Sequence, residues 1–193
     1  MNVIIHEEAD VEPISLEAIK AHLRVTEDDE NEYLEDLISH ARATAENYTR
    51  RGLITRTVEL QLDEWPEKEI VYLPYSPASE IEHLTYTTRE LETVTLTIDE
   101  DFYFDANSMP ARLIPVTSWP GRALKPISAI SVKYECGHTA ANIPKSILHG
   151  ILMQISHLHE HREAVYAGYT VITTMPFGIE TLWYPYRIWA PME

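Results

Sequence analysis

A single cysteine, Cys136, stands in a chain of 193 residues. It can form no internal disulfide and cannot supply a multi-cysteine zinc site. Such usage fits a reducing compartment. Glycine is scarce as well: there are six, and no two lie within five residues of each other. A loop that cradles phosphate needs clustered glycines for close backbone approach, so P-loop and dinucleotide-binding fingerprints are both excluded. No Gly-x-Ser-x-Gly nucleophile elbow occurs. No apolar run reaches the roughly 18 residues of a membrane span. The opening Met1-Asn2-Val3-Ile4-Ile5-His6-Glu7-Glu8 has no basic stretch and turns acidic at once, which predicts no secretory signal. Cations are few, 15 Lys and Arg against 31 Asp and Glu, for a net charge of −16. Affinity for nucleic acid comes from Lys and Arg displacing counterions, so this balance predicts repulsion from phosphate.

What is present suits a soluble globular fold: 45% hydrophobic and 24% charged residues, long enough for one domain with a real core. The acid is concentrated: residues 1–48 hold thirteen Asp and Glu against three Lys and Arg. Ser15 is placed to cap a first helix, with Ile14 stapled onto Ile19 and Leu16, Ile19 and Leu23 on one face. That helix is expected to end near Val25. Thr26-Glu27-Asp28-Asp29 reads as a second start, with acids favoured by the helix dipole. Tyr33, Leu34, Leu37, Ile38, Ala41, Ala45 and Tyr48 then recur at helical spacing, with Gly52 as the stop. Residues 1–52 are thus expected to form a helical hairpin.

The hydrophobic period changes after Gly52. Strands are expected at Ile54–Leu62, Ile81–Thr87, Thr93–Thr97 and Ile127–Tyr134, with shorter ones at Ile70–Leu73, Phe102–Phe104 and Arg112–Ile114. Seven prolines from Pro66 to Pro126 punctuate them. Residues 53–135 form an antiparallel β-region in this reading. Helix returns at Pro144, taken as the first helical residue, with Ile147, Leu148, Ile151, Leu152, Ile155 and Leu158 as its stripe, running to about Glu163. Tyr166 to Thr174 fits neither period. Met175-Pro176-Phe177-Gly178 reads as a turn, and Glu180–Tyr184 as one or two helical turns stopped by Pro185. The fold class is therefore α+β: an N-terminal helical hairpin and a C-terminal helix packed together, a β-region inserted between them, and residues 143–193 ending in an aromatic tail. The whole chain, 1–193, is expected to be one domain.

Few residues carry chemistry. His157 and His161 share a helix face four residues apart, with His149 and His159 nearby. The spacing suits a divalent metal, but Leu158 occupies the position where a zincin has its general-base Glu. The simpler reading is a polar helix face, and no metal or cofactor is expected. Glu27–Glu30 and Asp99–Asp101 lack the glycine and terminal Glu of a calcium loop. Cys136 and His138 flank Gly137 on a turn, where a structural thiol is the simpler reading. Tyr166, Tyr169, Phe177, Trp183, Tyr184, Tyr186 and Trp189 crowd the last thirty residues together with Arg162 and Arg187. Aromatics and Arg anchor interfaces. Past Pro185 little chain is left to bury them, so Trp183, Tyr184, Tyr186, Arg187, Ile188 and Trp189 are the candidate partner interface.

The order of these segments resembles one family. Pro13-Ile14-Ser15-Leu16-Glu17-Ala18-Ile19-Lys20-Ala21-His22-Leu23-Arg24-Val25, an acidic turn, and a second helix closing on Tyr48-Thr49-Arg50-Arg51-Gly52-Leu53-Ile54 are similar to the opening of phage head–tail connector (adaptor, head-completion) proteins. Leu73-Pro74-Tyr75-Ser76-Pro77, Trp119-Pro120, Ile130–Gly137, Ile143-Pro144-Lys145, Glu160–Ala164, Pro176–Glu180 and Tyr186-Arg187-Ile188-Trp189 follow in the same order. The resemblance implies a structural, non-enzymatic ring subunit, twelve-fold in the virion neck and assembled in the host cytoplasm. It implies binding to the portal on one side and to a stopper or tail-completion protein on the other, with docking through the C-terminal segment. DNA passes through the channel without specific binding, and an acidic lumen gives it no grip. The long β-region departs from the shortest, all-helical members and suggests an outer or inter-subunit contact. Two other classes fit less well: a metal-dependent hydrolase built on His157 and His161, and a β-rich ligand-binding module.

Overall fold

The computed structural model describes residues 1–6, 11–161 and 177–189. Ser15 caps α1 (Leu16–Leu23): its Oγ accepts from the Ala18 N–H at 3.3 Å, and Arg24 closes the helix in the left-handed region. Ile14 and Ile19, on either side of the cap, are both buried in one cluster. Helix α2 (Asn31–Thr49) starts later than its acidic prelude suggests. The acids of 27–30 instead form a turn, in which the Asn31 N–H donates to the Asp28 carbonyl and Lys20 Nζ sits 2.6 Å from Asp28 Oδ1. Nor does Gly52 stop the helix. Arg50 does so at φ 57°, and Gly52 has a different task.

Eight strands follow the alternation of the sequence: β1 (Asn2–Ile5), β2 (Arg56–Leu62), β3 (Val71–Tyr72), β4 (Ala78–Thr87), β5 (Thr93–Leu96), β6 (Phe102–Asp105), β7 (Arg112–Pro115) and β8 (Ile130–Cys136). All named pairings are antiparallel. One sheet has the order β1-β2-β8-β4-β5 and the other β3-β7-β6. Strand β8 shows why the pattern was readable: Ile130, Val132, Tyr134 and Cys136 are buried, while Ser131, Lys133 and Glu135 between them are only half-buried. The two sheets share a core that includes Leu84, Phe102 and Leu113. At its margin Trp65 stacks flat on Trp119, ring centres 4.3 Å apart. Strand β1 was not expected. It is a short edge strand without alternation, held by pairing Asn2–Ile5 against Val58–Gln61.

The helices build a second core. Helix α3 (Lys145–Glu160) starts one residue after Pro144, which is its cap rather than its first residue, and ends at Glu160 with His161 as its C-cap, short of the expected end near Glu163. Helix α4 (Phe177–Trp183) begins where a turn was expected at Phe177-Gly178. Pro185 does not stop the chain's helicity; it lies inside a 3-10 turn, Tyr184–Tyr186, where its missing N–H costs nothing. Tyr166–Thr174 lies outside the described residues. Helices α1 to α4 converge on Ile19, Leu34, Ala41, Ile147, Ile151 and Trp183. The hairpin and α3 therefore pack together, with the β-region between them in sequence.

The two cores meet at a tight backbone crossing. The Gly52 N–H donates to the Tyr75 carbonyl at 3.0 Å, and a Cβ on Gly52 would stand 2.8 Å from that oxygen. Gly137, at φ +105°, lies against the Ile54 carbonyl. Beside the crossing, buried Glu46 on α2 faces Arg42 at 3.3 Å and Arg56 of β2 at 3.2 Å, and accepts from the Leu53 N–H at 2.8 Å. Arg42 also reaches Glu12 at 2.8 Å.

Candidate partner interface

The aromatic tail divides sharply by burial. Trp183 is fully buried, and its indole N–H donates to the Ile147 carbonyl at 3.2 Å. Ile188 is also buried, and its backbone N–H donates to the Thr49 carbonyl at 2.9 Å, tying the tail to the end of α2. These two residues leave the expected surface, because α2 and α3 cover them. Tyr186 is half-buried and its carbonyl accepts from Arg51 Nε. Burial draws the Arg51 guanidinium down from its ordinary value without discharging it. Tyr184 and Trp189 remain 57% and 63% exposed, their rings meeting edge-to-face at 5.8 Å. Between them and α2 lies Arg187, its guanidinium 4.6 Å from the Trp189 ring centre and 5.3 Å from that of Tyr48.

A groove runs from this patch into the junction between the cores. Val3, Leu60, Val71, Leu73 and Ile188 line an apolar cavity of about 270 Å³, with Arg50 at its edge. It continues past Tyr72 and Pro110 to Arg51, Met109 and Trp189. Sequence reasoning singled out the tail as a candidate but not the groove. The Arg50-Arg51 doublet in so acidic a chain was the available signal; Met109 and Tyr72 gave none, since only the fold brings them here.

The other sequence candidates are dispersed. His157 and His161 rings meet edge-to-face at 4.8 Å. His159 turns away, its Nε2 3.1 Å from Glu30 Oε2. Among the described residues no third His, Cys, Asp or Glu joins them in a metal-sized group. Cys136 is buried at the end of β8, and burial pushes its thiol up to about 12, against activation as a nucleophile. Burial also lowers His138, whose carbonyl accepts from Thr55. Asp101 accepts from the Thr97 N–H at 2.8 Å, closing a turn. No helix among the described residues is long and apolar enough to cross a membrane.

Two packed cores are joined by an ion-paired seam, and beside it the tail presents an aromatic–arginine surface. The same fold occurs in chains of solved gene transfer agent (GTA) particles: the neck of the empty particle computed with C6 symmetry (TM-score 0.80, 17% identity), the virion of the native particle (0.77, 17%), and the neck of the native particle computed with C12 symmetry (0.69, 19%). Each likeness covers 97% of this chain and 95% of the other. No curated protein matches the chain in sequence. The model of the phage gp6-like head–tail connector proteins matches residues 13–102, a little under half of the chain.

Proposed function

We propose that the chain forms a ring in the neck of a tailed phage or prophage particle, beneath the portal and above a stopper or tail-completion protein. The observation that carries this reading is the likeness in fold over nearly the whole chain to neck proteins from particles computed with C6 and C12 symmetry, combined with the family match. Rings of identical subunits use heterologous contacts, which close when the rotation between neighbours allows it.

The charge supports the same reading. Glu27, Asp28, Asp29, Glu32, Glu35 and Asp36 are all exposed at one end of the helical hairpin. An acidic lumen releases no counterions to DNA and therefore lets it slide. The portal contact falls on the exposed Tyr184 and Trp189 of the tail and on the half-buried Arg187 between them, and the ring assembles in the host cytoplasm. No catalytic role is assigned to His157 and His161.

Co-expression with the portal protein of the same particle tests the proposal. A complex with the chain in a ring on the portal axis, seen by native mass spectrometry and electron microscopy, is the expected result. A tight two-fold dimer that ignores the portal would overturn it.

A further inference from the structure

The groove beside the tail differs in charge from the molecule around it. The whole chain carries −16, yet Arg50, Arg51 and Arg187 border an apolar cleft. Glu46 also reaches it, but that carboxylate already serves Arg42, Arg56 and the Leu53 N–H. Among the described residues no carboxylate pairs with the three rim arginines. Two of them are held in place. Arg187 lies between the Tyr48 and Trp189 rings, and its buried Nε has no hydrogen-bond partner. Arg51 is fixed through the Tyr186 carbonyl. Beyond them, Met109 and Trp189 are 45% and 63% exposed. Ordered guanidinium groups beside an open apolar floor are suited to a ligand that brings carboxylates and apolar side chains together.

We propose that this groove receives an extended acidic segment of the portal-side neighbour, its apolar side chains on the floor and its carboxylates on Arg51 and Arg187. The inference rests on the connector reading above and adds the chemistry of the partner. Nucleic acid is disfavoured as occupant, because the chain's overall charge of −16 opposes phosphate. A guanidinium that is already ordered loses little freedom on binding, so the site is preorganised.

The test uses the full chain and the full portal protein, with affinity measured across a salt series. The Arg51→Gln/Arg187→Gln double variant is expected to stay folded, bind portal at least about tenfold more weakly, and lose part of the salt dependence. Met109→Glu, on the exposed rim, is expected to weaken binding similarly without touching either arginine. Hydrogen exchange in the complex should protect an acidic portal segment. If the wild type binds portal and both variants bind equally well with the same salt slope, the groove proposal fails while the connector reading stands. If the wild type binds no portal, the connector reading itself fails. Loss of self-association in the variants, with portal affinity unchanged, would assign the groove to a second copy. Binding of a 30-nucleotide single-stranded DNA probe that the double variant loses would assign it to nucleic acid. Either result overturns the proposal.

Discussion

A Cβ placed on Gly150 would stand 2.1 Å from the indole Nε1 of Trp183. Glycine in the middle of α3 is therefore a packing requirement: it lets the Trp183 ring lie on the helix and donate to the Ile147 carbonyl. In an exposed helix Gly→Ala stabilises by about 1 kcal/mol. Here Gly150→Ala is expected to destabilise by about 1–3 kcal/mol, because the indole must move out of a filled core. Urea unfolding of the variant gives the sign directly; a gain in stability would mean that α4 does not dock on α3 in this way.

The seam between the two cores makes a second prediction. Glu46 compensates two buried guanidinium groups, Arg42 and Arg56, and one backbone N–H. Removing one partner of a buried pair typically costs about 3–5 kcal/mol, since the remaining charge is left unpaired. Glu46→Ala is expected to lose stability of that order, and Glu46→Gln less, because the amide still accepts from Leu53. Equal, small losses in both variants would show that the ion pairs contribute little.

The sequence revealed the architecture wherever one face was buried and the other was not. Strand β8 alternates cleanly because its sheet covers one side, and the stripe of α3 is broad because α2 and α4 both pack on it. Boundaries failed where tertiary contacts decide them. The acids of 27–30 became a turn through Lys20, eight residues before Asp28, and Gly52 serves the crossing with Tyr75 rather than the helix end. The tail was half legible. Its composition marked it as a candidate surface, but burial of Trp183 and Ile188 depends on α3 and on the Thr49 carbonyl, neither of which is near in sequence.

Stability should also depend on acid through Glu59. Burial alone would raise its carboxyl, but hydrogen bonds from Gln61, Ser131 and His6 outweigh that and hold it at about 2, below its ordinary 4.5. A depressed carboxyl contributes stability that is complete above the unfolded value and lost as pH falls through the folded one. The contribution is therefore expected to be full above roughly pH 5 and to disappear between 4.5 and about 2. Glu59→Gln should flatten the stability–pH curve in that window and leave its shape above pH 6 unchanged. An unaltered acid limb in the variant would exclude Glu59 as a source.

The tail should separate into residues that fold the protein and residues that bind a partner. Trp183 and Ile188 are buried, so Trp183→Ala is expected to cost about 3–5 kcal/mol and Ile188→Ala about 2–5 kcal/mol. Tyr184 and Trp189 are mostly exposed, and their alanine variants should stay within about 0.5 kcal/mol of the parent. Binding should show the reverse order. An exposed tryptophan that stacks on an arginine is the kind of anchor whose loss costs about 2 kcal/mol or more of affinity, some thirtyfold. Trp189→Ala should thus remain folded, fail to hold portal, and leave heads without tails when it replaces the native chain in an assembling particle. Portal binding that survives in Trp189→Ala and Tyr184→Ala alike would move the contact off the tail, to the acidic end of the helical hairpin.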